Sequence, residues 1–259
     1  MILAFDIGNT NIVAGFLSEA GQILQQWRMD TDLTQSLEEY QRQMNPHLAH
    51  PSFSSKPIQG SVLSSVVPKL SPVFIKMVQK LIAQDPIQVA PSLHLGITLD
   101  VEAPEKVGQD RIVNGVAAYH RYQTSVITVD FGTATKLDVV THMGTFIGGI
   151  ICPGIRIIAE ALVARTSQLF QVTLEPPASL IGRNTTDCLK SGLYYGYTSM
   201  IEGLITKLKL TLNQKQEPTP VIIATGGLSH LFKEALPLVD HWDADLTLHG
   251  LYRVYHLNQ

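Results

Sequence analysis

Residues 1–17 read MILAFDIGNTNIVAGFL, and residues 125–140 read SVITVDFGTATKLDVV. In both stretches an apolar run ends in an Asp-x-Gly turn, Asp6-Ile7-Gly8 or Asp130-Phe131-Gly132, and a second β-rich run follows. The first stretch predicts strands over Met1–Phe5 and Ile12–Leu17, with a third over Ile23–Met29 after a turn at Gly21. The second predicts strands over Ser125–Val129, Lys136–Val140 and Phe146–Ile151, with a turn at Gly144. The aspartates and their glycines recur at one constant offset, and the hairpin glycines Gly21 and Gly144 fall one residue out of step. A lone Asp-x-Gly is a common turn, but a repeated strand-turn-strand-turn-strand series argues for internal duplication.

Outward from these openings the pattern alternates between strand and helix. Leu70–Ala83 carries Leu70, Phe74, Met77, Val78 and Leu81 on one helical face. Helices are also predicted over Arg111–Tyr122, Ile155–Leu169 and Thr186–Leu210. A loop is expected at His50–Pro57, a polar linker at Asn213–Pro220, and a buried strand at Val221–Ala224 that leads into Thr225-Gly226-Gly227-Leu228. The expectation is an α/β protein of two related lobes, residues 1–120 and 121–259, dividing near Tyr119–Thr124.

Composition narrows the function classes. Of 259 residues, 45% are hydrophobic and 16% charged, enough to build a substantial core. Lys plus Arg number 19 against 22 Asp plus Glu, so no basic footprint for nucleic acid or an anionic membrane is expected. Cys152 and Cys188 are the only cysteines, which excludes a disulfide framework and suits a reducing cytoplasm. The uncharged stretch Val139–Ile155 is broken by Gly144, Gly148, Gly149, Pro153 and Gly154, so it reads as strands and turns and not as a membrane span. No basic leader precedes the first apolar run, and a soluble intracellular protein is expected.

A carboxylate at the end of a buried strand, followed by a tight glycine turn, suits phosphate and hydrated Mg²⁺. Two such turns facing one another across a cleft would grip a nucleoside triphosphate from both sides. Either turn alone reads as an ordinary Asx-turn, and the paired glycines at 226 and 227 suit either a nucleotide or a simple strand-to-helix turn.

Two Asp-x-Gly hairpins with a late Thr-Gly-Gly resemble the actin, heat-shock chaperone and sugar-kinase superfamily. That resemblance implies two duplicated ribonuclease H-like lobes of the actin-like ATPase kind, with mixed sheets flanked by helices. DIGNTNIVAGF, PEKVGQDR with NGVAA, VDFGTATKLDVV, GGIICPGI, GRNTTDCLKSGLYYG and ATGGL occur in order. This ordered set resembles the type III pantothenate kinase family from Leu3 to about Leu228. No Gly-Lys dipeptide occurs, which excludes the Walker P-loop fold of the rival kinase route.

The resemblance implies ATP-dependent phosphorylation of pantothenate to 4′-phosphopantothenate, the first step toward coenzyme A. It implies a first phosphate loop of Asp6, Ile7, Gly8, Asn9, Thr10, Asn11, Ile12 and Val13, with Asp6 holding Mg²⁺ through the phosphates. It places Gly108, Gln109, Asp110 and Arg111 in the pantothenate site with Thr185, and makes Asp110 the proton acceptor. Thr133 would touch ATP, and Asp130 would bind a monovalent cation, K⁺ or NH₄⁺. An alcohol holds its proton far more tightly than a carboxylate does, so Asp110 would orient the hydroxyl and take the proton late. Arg111 would meet either the pantothenate carboxylate or a phosphate. Without the resemblance, GQDR reads as a helix N-terminus with Asp110 capping it. The resemblance also implies a homodimer, for which Ile147–Ile158 and the cluster Tyr194, Tyr195 and Tyr197 are candidate lining, and closure of the lobes on ATP.

Two positions depart from the family pattern. Val101 stands where many members place an aromatic residue against substrate, and Lys136 replaces a usual Thr. Lys136 is expected to point outward, since exposed lysines are the norm. His47 and His50 have metal-like spacing but are expected in a solvated loop. Asp138 reads as a structural acceptor, and Asp187 as a complement to a helix dipole. Two alternative functions remain: a non-catalytic regulator of the Bvg accessory factor kind, or a superfamily kinase with another substrate. Acidic residues at 6, 110 and 130 favour catalysis over the first, and the GQDR and GRNT blocks favour pantothenate over the second.

Overall fold

A computed structural model describes residues 1–50 and 57–259. Most of the expected His50–Pro57 loop lies outside the described residues. The chain divides into two compact units, Met1–His120 with Leu246–Gln259, and Arg121–Asp245. No helix among the described residues is long and apolar enough to cross a membrane.

In the first unit, β1 (Ile2–Ile7), β2 (Asn11–Leu17) and β3 (Ile23–Asp30) form an antiparallel meander. Then come α1 (Leu37–Leu48), β4 (Gly60–Ser65), α2 (Ser71–Ile82), two short strands β5 (Ile87–Gln88) and β6 (Thr98–Leu99), and α3 (Gln109–Tyr122). The sheet order is β3-β2-β1-β4-β5, with β4 parallel to β1 and β5 parallel to β4. One face of this sheet buries Phe5, Phe16, Tyr40 and Phe74, with the Phe5 and Phe74 rings edge-on at 5.2 Å. Full burial of each such side chain stabilises the fold by about 2 kcal/mol.

In the second unit, β7 (Val126–Phe131), β8 (Ala134–Val140) and β9 (Thr145–Pro153) repeat the meander. They are followed by α4 (Ile155–Ala164), the long α5 (Thr185–Gln214), β10 (Val221–Thr225) and β11 (His241–Trp242). Here β10 lies parallel to β7 and β11 parallel to β10, giving the order β11-β10-β7-β8-β9. Strand order, pairing sense and even the buried-residue pattern of β1 and β2 recur in β7 and β8. The duplication expected from the two openings is therefore a duplication of topology.

Several boundaries move for physical reasons. The last helix, α6 (Leu246–Leu257), groups with the first unit and not with the expected 121–259 lobe. It does so because Leu248, Leu251, Val254 and Tyr255 bury against Ile2, Ala4, Val62, Ile112 and Val113. The expected linker at Asn213–Pro220 begins inside α5, which buries Leu212 as its final core contact. The helix expected to reach Leu169 ends at Ala164. His47 sits in α1 and not in a loop: its ring stacks on Trp27 at 4.4 Å and its Nδ1 accepts from the Gln25 amide at 3.0 Å. Burial lowers its pKa, as a neutral acceptor requires. Among the described residues no His, Cys, Asp or Glu group is placed to hold a metal ion as a cluster of three. Tyr194 and Tyr197 are core residues of the second unit, and Asp138 is buried within β8.

Gly250 in α6 lies against the backbone of α3, where an added Cβ would come within 2.1 Å of the Val113 carbonyl oxygen. Gly→Ala inside a helix ordinarily stabilises by about 1 kcal/mol. Overpacking against immovable backbone costs about 1–3 kcal/mol and should win. Gly250→Ala is expected to lower the urea midpoint, and an unchanged or raised midpoint would show that α6 can shift away from α3.

Candidate active site

The first unit assembles its polar residues where parallel strands end. Asp6 is the fifth residue of β1 and pairs in register with Ser64 of β4 on one side and Val13 of β2 on the other. The Ser64 hydroxyl donates to Asp6 Oδ1 at 3.0 Å, holding the half-buried carboxylate at the sheet edge. Beyond it the chain turns at Gly8, whose N–H donates to the Asn11 carbonyl at 3.0 Å. A Cβ at Gly8 would lie 2.9 Å from that oxygen, so the turn needs glycine. Ile7 and Ile12 are buried beneath the turn, Asn9 and Thr10 are exposed on it, and Asn11 and Val13 are half-buried. Asn11 is fixed by its amide, which donates to Asp30 Oδ1 at 3.2 Å.

The same edge receives the N-terminus of α3. The Val66 N–H donates to the Ile7 carbonyl at 3.0 Å, and the Ser65 N–H donates to Gln109 Oε1 at 2.7 Å. Gly108 precedes the helix, and its missing Cβ would sit 2.6 Å from Asp110 Oδ1 and 3.6 Å from Val66 Cγ1. The Asp110 carboxylate thus lies back over the first helical turn, where the Arg111 N–H donates to it at 2.9 Å. β4 therefore ties the Asp6 carboxylate and Gln109, the neighbour of Asp110, to the C-terminal ends of two parallel strands, the usual place for ligands in α/β sheets. Ser64, buried, and Ser65, half-buried, were not singled out from sequence; serines around the apolar pair Val62-Leu63 would have been the signal. Val101 is half-buried between β6 and the 3₁₀ turn Pro104–Lys106.

The second unit holds Asp130, Thr133 and Thr185. Asp130 occupies in β7 the place of Asp6 in β1, facing Lys136 of β8 and Thr225 of β10. Thr133 is exposed in the turn after Gly132. Thr185 is exposed at the first position of α5, after Asn184, whose side chain caps the helix by accepting from the Asp187 N–H at 2.9 Å. The Thr-Gly-Gly turn packs directly on the hairpin: the Leu228 N–H donates to the Phe131 carbonyl at 3.2 Å. Gly226 has φ +95°, and a Cβ there would come 2.5 Å from Asp130 Oδ1 and 2.6 Å from the Phe131 nitrogen. Thr135 and the Tyr197 hydroxyl hydrogen-bond to each other inside the core. Burial above all pushes the Tyr197 pKa up to about 12, so it stays a neutral structural group.

Lys136 corrects the sequence expectation. Its Nζ lies 2.8 Å from Asp130 Oδ2, and both side chains are only 15% exposed. Alternation along β8 cannot reveal this, because the partner is set by cross-strand register and not by the neighbours Thr135 and Leu137.

This arrangement of hairpins and parallel strand ends can be compared with known proteins. The family model for type III pantothenate kinase matches residues 2–207. The chain belongs to the type III pantothenate kinase family. A type III pantothenate kinase of Moorella thermoacetica is 40% identical over 259 residues, covering all of both chains. Among solved structures, a protein of Campylobacter jejuni described as a conserved Baf family transcriptional activator superposes with a TM-score of 0.58 at 18% identity. That match covers 98% of this chain and 97% of the other. The polyphosphate/ATP-glucomannokinase of Arthrobacter sp. strain KM gives a TM-score of 0.51 at 12% identity, covering 98% and 96%. At such identities these two matches report the fold alone, that of sugar kinases and actin-like ATPases. The family's reaction is the ATP-dependent phosphorylation of pantothenate.

Gly226→Ala tests the packing of the Thr-Gly-Gly turn on the second hairpin. Positive φ and contact with backbone together should cost about 2 kcal/mol or more. The expected result is a lower urea midpoint with an unchanged slope, and wild-type stability would show that the turn has room to move.

Proposed function

We propose that this chain transfers the γ-phosphoryl group of ATP to the primary hydroxyl of pantothenate, giving 4′-phosphopantothenate and ADP, with Asp110 as proton acceptor. The observation that carries the reading is the junction of β1, β4 and α3, where Ser64 and Ser65 hold the Asp6 and Gln109–Asp110 segments at one sheet edge. The hydroxyl oxygen bonds to phosphorus as the bridging oxygen leaves with ADP. In such a loose transition state little proton transfer is needed early, so a positioned carboxylate that accepts the proton late is sufficient.

The Asp6–Val13 hairpin is the proposed phosphate loop, with Thr133 a further ATP contact from the second unit. A half-buried carboxylate positioned by the Ser64 hydroxyl is a hard oxygen donor, so Asp6 fits Mg²⁺, directly or through water. When bound, Mg²⁺ supplies positive charge against the phosphate oxygens. Gly108, Gln109, Arg111 and Thr185 are the proposed pantothenate residues; the fork of Arg111 suits a carboxylate or a phosphate.

The reading also assigns a homodimer. The second unit exposes the large apolar side chains Ile157, Leu162, Phe170, Leu180 and Ile181, which a partner surface would cover. Leu162 and Phe170 also line a cavity of about 320 Å³ at α4 and α5, where Val172 and Leu189 meet the polar Arg156 and Glu160. We assign this face to a second copy. Free thiols at Cys152 and Cys188 fit a reducing compartment, which supports our assignment of the enzyme to the cytoplasm.

Asp110→Asn should lower kcat by about 10²–10⁴-fold with a melting temperature near wild type. Wild-type turnover in that variant would remove Asp110 from the reaction. Light scattering should give twice the 28.5 kDa chain mass, and a stable monomer at assay concentration would remove the dimer.

A further inference from the structure

We propose that the ammonium of Lys136 is the monovalent cation of Asp130, built into the chain, so that the enzyme turns over without added potassium or ammonium. The inference rests on the pantothenate kinase reading and concerns the one ion that reading leaves unplaced.

The resemblance implied K⁺ or NH₄⁺ at Asp130. The donor set there does not fit a free ion. Lys136 faces Asp130 across the β7–β8 ladder, and its Nζ stands at hydrogen-bond distance, 2.8 Å, from Oδ2. The other carboxylate oxygen faces the Thr-Gly-Gly turn, where even one added carbon at Gly226 would fall 2.5 Å from Oδ1. The missing Cβ of Gly132 would lie 3.5 Å from Oδ1 as well. A free cation would therefore share the carboxylate with a fixed like charge at contact distance, in a place only 15% exposed, where water screens that repulsion poorly.

Chemistry makes the replacement apt. One of the two ions in question is ammonium, and a lysine head group is an alkylammonium with three N–H donors and the same unit charge. The duplicated fold supplies an internal control. In the first unit, Val13 holds the place that Lys136 holds in the second, directly opposite the equivalent aspartate Asp6. The register is the same, yet only the second hairpin brings its own cation. A tethered cation has no binding equilibrium, so it offsets phosphate charge at any external salt concentration.

The test compares turnover of wild type and Lys136→Thr with ATP, Mg²⁺ and pantothenate in choline chloride and in KCl. Wild type should keep at least about a third of its KCl rate in choline; a larger loss overturns the proposal. Lys136→Thr should fall about tenfold or more in choline and recover with KCl or NH₄Cl, whereas a variant equally active in both salts overturns it. A collapse of the variant in every salt leaves the wild-type comparison to decide. Absence of turnover by wild type in every salt would sink the pantothenate kinase reading instead. Calorimetry of Mg·ADP binding would then decide the lysine: affinities within about threefold between choline and KCl support it, and tighter binding in KCl beyond that overturns it.

Discussion

A carboxylate placed at the mouth of a β-sheet, half out of water, must be met by a donor or a cation, and both units of this protein are organised by that requirement. In the first, Asp6 at the end of β1 is met by the Ser64 hydroxyl, which the parallel register of β4 delivers to it. In the second, Asp130 at the end of β7 is met by Lys136, which the antiparallel register of β8 delivers. The two solutions come from opposite neighbours of the same central strand. Position is conserved by the duplicated topology, while chemistry differs with one side chain on each flanking strand.

Glycine completes both arrangements by letting backbone approach. Gly8 closes the first turn onto the Asn11 carbonyl, and Gly226 brings the Thr-Gly-Gly turn against Asp130. A side chain at Gly8 pushes on main chain, and one at Gly226 on the Phe131 main chain as well as the Asp130 carboxylate, so relief is not cheap. Gly108 plays a related part in the first unit, where its bare Cα leaves room for the Asp110 carboxylate above the first turn of α3.

How far this could be read in advance depended on whether the signal was local. The two meanders were legible because apolar runs, turn glycines and repetition all lie along the chain, as in Ile2–Leu17 and Val126–Val140. α1 escaped notice because only Tyr40 and Met44 are buried on it and Pro46 lies inside it, although Ser36 and Glu39 form a capping box that would have marked its start. β4 was hidden by its serines, which face the sheet and the site instead of solvent. α6 does carry Leu248, Leu251 and Tyr255 at helical spacing, but nothing in the sequence says which unit they bury against. The Lys136–Asp130 pair was illegible for the same reason: it is a fact of register between β7 and β8.

The membership of α6 has a temporal side. The first unit is assembled from residues a ribosome makes before the second unit and from residues it makes after it, Leu246–Gln259. During synthesis the apolar cluster of Ile2, Ala4, Val62 and Val113 must wait for α6 while the whole second unit is translated. The second unit, continuous from Arg121 to Asp245, has no such delay and can complete itself earlier even though it begins later.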